Sequence, residues 1–573
     1  MPLSRTTTGR FANRIFRQSL TAQRYQSTGI PSSEVIDTDV VIVGGGPAGL
    51  ALASTLGSSE SIRNNLKVTL VDGGDLSKIK TWNAPPTSFS NRVVSLTNKS
   101  KAFLTDIGAW DHVDEARTNA VEHMQVWDGV SDARIEFDAQ DLQLTRVNNG
   151  MATLTEILNL QRALLRHLDN LPNIQLLHRT KVTSITADSE DKGSWPLIHL
   201  DNNSTLRARL LVGADGFNSP VRTFAQIPSF GWGYNTQAIV ATLVHPPRGA
   251  FEGPNTTAYQ RFLPTGPIAF LPLSPTMSSL VWSTKPALAA ALQAADPNVL
   301  AIMINAAFRL PHLSMKYLHQ RILESHAAGI SILPDTLRQE LQFREQSHAV
   351  GPTSAYSSLQ IIGGQQGIPP ADSEMVPPLV TQIQAGTVAS FPLKYNHAET
   401  YLGEGVGART VLVGDAAHTI HPLAGQGLNL GLGDVESLAN CITATIATGG
   451  DIGSYTSLLR YSQSRYLANH TVMSAVDKLH KLYSTDSDAI VWARSVGVEV
   501  LNELDSVKAA MMMSAGADFG NVAPPSWSAS GWNIAASGVE ILAKATKTAE
   551  AVGNTLTSTI GANLSTFIRS TRP

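Results

Sequence analysis

Residues 39–43 form a β-branched apolar run, and Gly44, Gly46 and Gly49 follow at once in a G-x-G-x-x-G spacing. Residues 50–56 start a helical pattern, and residues 68–71 give a second apolar run that ends at Asp72. Strand, glycine turn, helix, strand and acid in this order predict a Rossmann-type βαβ unit, which constrains the start of the fold more than any other feature. In such a unit Gly44 makes the turn and Gly46 admits a pyrophosphate. Gly49 lets helix and strand pack closely, and Asp72 takes a ribose hydroxyl.

Two later segments repeat the theme. Residues 210–214 read as a strand ending in Asp215-Gly216, with Ser219 and Arg222 behind it. Residues 411–413 are another short buried strand, and Gly414-Asp415 ends it with a carboxylate placed to hold a sugar hydroxyl. The loop from His421 and Pro422 to Gly425, Gln426 and Gly427 opens a helix with Leu428, Leu432, Val435 and Ala439 on one face. A glycine-rich helix entry brings backbone N–H groups close to an anion or carbonyl oxygen. Asp415, His418 and His421 also fit an open iron site. That reading is set aside because it leaves the glycine loop unexplained, so no metal is expected.

The stretch 409–429 resembles the Asp-ribityl segment of the single-component aromatic flavin hydroxylases, and D-G-x-x-S-x-x-R at residues 215–222 resembles their second flavin motif. The run HPLAGQGLNLG at 421–431 is similar to the signature of the ubiquinone-biosynthesis hydroxylases within that group. The resemblance covers roughly residues 37–516, with a gap at a long excursion. It implies an α/β fold in which a Rossmann-like FAD-binding domain carries an inserted β-sheet substrate domain and C-terminal helices.

By the same resemblance FAD is held by Gly44, Gly46, Gly49, Asp72, Asp215, Gly216, Gly414, Asp415, Gly425, Gly427 and Asn429. Arg92, and Gln161 on a helix beginning near Leu154, are expected beside its phosphates. His421, Pro422, Gly425, Gln426, Gly427 and Asn429 lie next to the ring, and Phe262, Ile268 and Phe270 join Pro422 on the substrate side. The chemistry implied is attack of an electron-rich phenol on a flavin C4a-hydroperoxide made from O2. The implied substrate is a polyprenylated hydroxybenzoate-type precursor, hydroxylated at ring C5. Electrons are implied to come from ferredoxin and its reductase, or alternatively NADPH, within a coenzyme Q biosynthetic complex peripheral to the matrix face of the inner membrane. Gly433 departs from the pattern, since bacterial relatives commonly carry Arg there. A hydroxylase of another phenol, or a complex subunit with structural FAD, are the rival readings.

Composition supports a large globular chain: 573 residues, 43% hydrophobic, with a net charge of −3 that argues against nucleic acid as a partner. Cys441 is the single cysteine and excludes an internal disulfide. Residues 1–33 carry Arg5, Arg10, Arg14, Arg17 and Arg24 without one acid, the composition of a mitochondrial transit peptide. No stretch reaches the roughly 18 apolar residues of a membrane span. The expected layout assigns 37–118, 150–222 and 391–450 to the FAD-binding domain. The substrate domain takes 119–149 and 223–390, including a Gly/Pro-rich excursion over 335–385. Helices fill 451–520, and an extra helical tail fills 521–573, with Val552, Leu556, Ile560 and Leu564 at helical spacing.

Overall fold

The structure, a computed structural model, describes residues 35–131, 133–139, 150–189, 194–248, 253–347 and 376–502. The expected transit peptide (1–33) and the tail (521–573) lie outside these residues.

Val40, Val41 and Ile42 are fully buried because the strand Val35–Val43 has a neighbour on each edge and helices packed over the sheet. It pairs in parallel with Val68–Val71 on one side and Thr205–Gly213 on the other. Ile174–Leu177 extends the sheet beyond Val68–Val71, and Thr410–Leu412 lies parallel to the far end of Thr205–Gly213. An antiparallel pair, Val182–Ala187 and Pro196–Leu200, completes this seven-stranded layer. The helices Pro47–Ser58, Ile157–Leu168 and Gly427–Ala447 cover it, and Leu432, Val435 and Ala439 are buried as their spacing predicts. Pro47 starts the first of these helices at a position where a missing N–H costs nothing.

A nine-stranded sheet forms the second body. Its central order runs Ala389–Ala398, Ser229–Val244, Met277–Thr284, Gly266–Ser274, Thr257–Leu263, His123–Asp128, Arg134–Asp138. Four helices, Pro286–Ala294, Pro297–Arg309, His312–Ala327 and Pro334–Ser347, join a separate core on one of its faces. The sequence reading did not foresee these helices. The excursion expected over 335–385 is described at its two ends. Leu337 and Leu341 of Pro334–Ser347, with Val380 and Ile383 at the other end, are buried in that core. Residues 348–375 lie outside the described residues.

Val93–Thr97, Ala152–Glu156 and Thr118–Val121 make a small third sheet between the two bodies. The helix bearing Gln161 was expected near Leu154 but begins at Ile157, because residues 152–156 pair as the central strand here. Tyr455–Tyr483 forms one long helix, and Asp488–Asn502 follows. Arg494 on the latter donates Nε and Nη2 to the two carboxylate oxygens of Asp128, at 2.6 and 2.9 Å, with both side chains buried. No described helix is long and apolar enough to cross a membrane.

Candidate functional site

Three chain segments converge where the parallel strands end. Gly44 has φ +113°, a value that disfavours any side chain, and its N–H donates to Val71 O at 2.9 Å. A Cβ on Gly44 would stand 2.3 Å from Ala214 O, so the first and second motifs are in backbone contact. A Cβ on Gly414 would meet that of Ala48 at 3.3 Å, which brings in the third. Asp72 Oδ2 accepts the Gly45 N–H and Oδ1 the Gly74 N–H, each at 2.6 Å, fixing the carboxylate beside the glycine turn. Gln161 Nε2 donates to Gly45 O at 3.3 Å, so it reaches the same turn. Arg92 holds its place by its backbone, whose carbonyl accepts Ile157 N–H at 2.9 Å, and leaves its side chain exposed at the surface.

The two motif carboxylates differ. Asp215 Oδ2 accepts Val221 N–H at 3.1 Å, while Oδ1 is buried with no protein partner. Burial pushes its carboxyl above the ordinary value, against the hydrogen bonds from Ser219 and Val221. Asp415 opens to the cleft but stands at its floor, where surrounding protein raises its carboxyl and His418 offsets part of that rise. Gly216, φ +83°, turns the chain directly after Asp215. An unpaired buried oxygen, a walled-in accessible carboxylate and a turn in which Gly46 has no atom within 4 Å of an added Cβ all suit a dinucleotide rich in hydroxyls and phosphates.

The loop ahead of the helix Gly427–Ala447 is built from its own backbone. His421 Nδ1 accepts the Leu423 N–H at 3.1 Å, so Nε2 carries the proton of the neutral ring. Burial, with His480 beside it, holds that imidazole down at about 3. The ring packs behind the loop against Tyr234 and His480. Gly425 sits at φ +61° and ends the short turn Pro422–Ala424. The first intrahelical bond runs from Leu430 N–H to Gln426 O, so the amides of Gly427, Leu428 and Asn429 have no intrahelical acceptor. The side-chain amide of Asn429, a residue expected on the cofactor, is held by the protein. Oδ1 accepts Thr97 N–H at 3.1 Å and Nδ2 donates to Ser95 O and Gly425 O, at 2.8 and 3.2 Å. It staples the loop to the small sheet.

A buried charge cluster, not anticipated from the sequence, backs the Gly414 turn. Asp434 Oδ2 accepts the Gly414 N–H at 3.1 Å and meets His418 Nε2 at 2.6 Å. Its Oδ1 accepts Arg465 Nε at 2.8 Å and Asn469 Nδ2 at 2.9 Å. His418 is therefore bound to a carboxylate sixteen residues along the chain and not to Asp415. A Cβ at Gly433 would stand 2.9 Å from Arg465 Nη2. The guanidinium of Arg465, from the helix Tyr455–Tyr483, thus lies against Gly433.

A cavity of about 300 Å³ separates this loop from the nine-stranded sheet. Pro422, Gly425 and Gln426 bound it on one side, and Gln260, Ala269 and Leu271 on the other. Pro422, expected on the substrate side, borders this cavity. Ile268 and Phe270 do not, and that expectation is corrected. Side chains alternate along a strand, so Pro267, Ala269 and Leu271 face the cavity while Ile268 and Phe270 enter the core under the helices. Phe262 shares the cavity face of its strand but lies beyond the cavity, stacked on Tyr483 at 4.1 Å. The signal that could have settled this was the period of two itself, counted from Gln260.

The FAD binding domain family matches residues 37–326 and 374–476, more than half of the chain. The p-nitrophenol 4-monooxygenase PnpA of Pseudomonas putida has a similar fold, with a TM-score of 0.55 over 84% of this chain and 97% of that one, at 18% identity. The family match and the fold define an FAD-binding flavoprotein. The ubiquinone biosynthesis monooxygenase COQ6, mitochondrial, of Saccharomyces cerevisiae is 39% identical over 480 residues, covering 82% of this chain and 92% of that protein. The same-named protein of Schizosaccharomyces pombe is 37% identical over 477 residues, and the human one 34% over 479, covering 90% and 91% of those proteins. The chain belongs to the COQ6 family of ubiquinone biosynthesis monooxygenases.

Asp415 allows a direct check of the cofactor geometry. Asp415→Asn keeps the shape of the side chain and removes a charged acceptor, so FAD affinity should fall by about tenfold, or about 1.4 kcal/mol. Titration of the apoprotein with FAD, read by flavin fluorescence, measures this. Unchanged affinity would remove Asp415 from the cofactor site.

Proposed function

We propose that this chain hydroxylates ring C5 of a polyprenylated hydroxybenzoate-type precursor during ubiquinone biosynthesis. The observation that carries the reading is the largely apolar cavity between the glycine loop and the nine-stranded sheet, in a chain of this family. Gly44, Gly46, Gly49, Asp72 and Gln161 hold the adenosine and phosphate half of FAD; Asp215, Gly216, Gly414 and Asp415 hold the ribityl half. Bound there and reduced, FAD would supply two electrons to O2, so that one oxygen atom enters the ring and the other leaves as water. The amides of Gly427, Leu428 and Asn429, at the positive end of a 21-residue helix, stabilise negative charge next to them. Pro422, Leu271 and Val281 keep water from the reacting oxygen.

Electrons come from ferredoxin and its reductase, with NADPH as the alternative donor. The single dinucleotide fingerprint in the sequence, assigned to FAD, is compatible with either route. The relatives are named mitochondrial, and the Arg-rich start fits that compartment. The protein works there against the matrix face of the inner membrane within the coenzyme Q biosynthetic complex.

The test uses protein lacking residues 1–26 and loaded with FAD. Flavin reduction by NADPH is compared with reduction by a ferredoxin–reductase pair, with and without a 4-hydroxy-3-prenylbenzoate analogue, and hydroxylated product is sought. Product with ferredoxin alone is the expected result. Fast reduction by NADPH with another phenol preferred would overturn both the electron route and the substrate.

A further inference from the structure

We propose that Gln260 orients the aromatic substrate by hydrogen bonding its ring oxygen; the assignment rests on the reading of the site as a phenol hydroxylase. Gln260 lies on the strand Thr257–Leu263, directly opposite Ala269, which is in turn opposite Val281. These three side chains form the middle row of the sheet face that walls the cavity. Two of its neighbours on that face are alanines, Ala258 along its own strand and Ala269 across the sheet, with Phe262 and Val126 on its other sides. Two methyl groups leave the longer amide projecting into the space between them.

Gln260 is only 7% exposed, and among the described residues no protein group hydrogen-bonds its amide. The amide's remaining outlet is the cavity. The amide atoms are reached from the cavity, so a ligand oxygen there can hydrogen-bond them. The other polar groups at this wall are less suited. Thr97 Oγ1 is engaged with Ser100 Oγ at 3.1 Å. Ser283 belongs to the next row, beside Pro267, toward the end closed by Phe262 and Tyr483.

An amide donates and accepts but does not titrate. It therefore fits a phenolic hydroxyl or a ring carbonyl and fixes the ring's rotation without removing its proton. A hydroxyl is also what this site must distinguish from hydrogen, since a site built to hydrogen-bond a hydroxyl discriminates against the analogue lacking it.

The test compares two ligands on the FAD-loaded protein: a 4-hydroxy-3-prenylbenzoate analogue and its counterpart lacking the 4-hydroxyl. Binding is read from the perturbation of the flavin absorption spectrum, without turnover. Wild type should prefer the hydroxylated ligand by about tenfold, the size of one good hydrogen bond. Gln260→Leu and Gln260→Met, which keep most of the volume, should lose that preference while binding the deoxy ligand as wild type does. Two variants guard against a packing defect in one, and the pH profile of turnover should be unmoved in both. Retention of the full preference in folded Gln260→Leu and Gln260→Met would overturn the assignment alone. A wild type that binds neither ligand would overturn the functional reading itself.

Discussion

Gly49→Ala is expected to abolish FAD binding and to destabilise the fold around the first strand. Its added Cβ would stand 1.9 Å from the carbonyl oxygen of Gly44, a backbone atom fixed by the Val71 contact, so the helix Pro47–Ser58 must move off the sheet. Overpacking of this kind costs about 1–3 kcal/mol or more. The comparison that gives the result meaning is Gly46→Ala. Gly46 has an ordinary φ of −70° and open space around an added Cβ. As the residue that caps the helix it should lose only about 1 kcal/mol of stability on becoming alanine. Its methyl would nevertheless project where a pyrophosphate must approach, and a fall in FAD affinity of about 100-fold, or about 2.7 kcal/mol, is expected. Thermal melts of the apoproteins and FAD titrations separate the two: Gly49→Ala fails both, Gly46→Ala only the second. Normal FAD affinity in Gly46→Ala would refute the assignment of this turn to the phosphates.

Asp434→Ala is expected to cost about 3–5 kcal/mol, because it leaves the buried Arg465 guanidinium uncompensated and removes the carboxylate partner of His418 Nε2 and Gly414 N–H. Denaturant unfolding measures it, and a loss below about 1 kcal/mol would contradict the role given to the cluster. Burial pushes the Asp434 carboxyl up, but His418 and Arg465 outweigh it and hold the group at about 2, below its ordinary 3.8. A carboxyl depressed in the folded state contributes stability that is complete above the unfolded value and lost as pH falls through the folded one. The wild type should therefore weaken between about pH 4 and pH 2 more steeply than Asp434→Ala, whose difference from wild type shrinks over that window.

The parts legible in the sequence are those where backbone geometry demands particular residues. A strand that feeds a glycine turn and a helix leaves few alternatives, which is why residues 39–72 and 409–429 announce their elements. The misplaced parts have weaker local signals. Leu154 reads equally as the start of a helix or the middle of a strand, and tertiary pairing with Val93–Thr97 and Thr118–Val121 decided it. Ile268 and Phe270 were expected on the substrate side from the resemblance, yet the alternation of the strand sends them to the helical face and turns Pro267, Ala269 and Leu271 to the cavity. Asp434 and Arg465 join helices that approach only after folding, so no spacing rule connects them. The helices over 286–347 carry many alanines and capping prolines and were hidden within a stretch read chiefly for strands.

The pair between Arg494 and Asp128 sets an order of events during biogenesis. Asp128 emerges early and Arg494 among the last described residues, yet each is the other's neutralising charge inside the protein. Until the helix Asp488–Asn502 has been delivered, the strand His123–Asp128 carries an unneutralised carboxylate at a site destined for burial. A nascent or partly imported chain would therefore leave that end of the nine-stranded sheet open to solvent and proteolysis. Completion of the enzyme would coincide with arrival of its C-terminal third, a dependence that pulse-chase import with timed protease digestion would record.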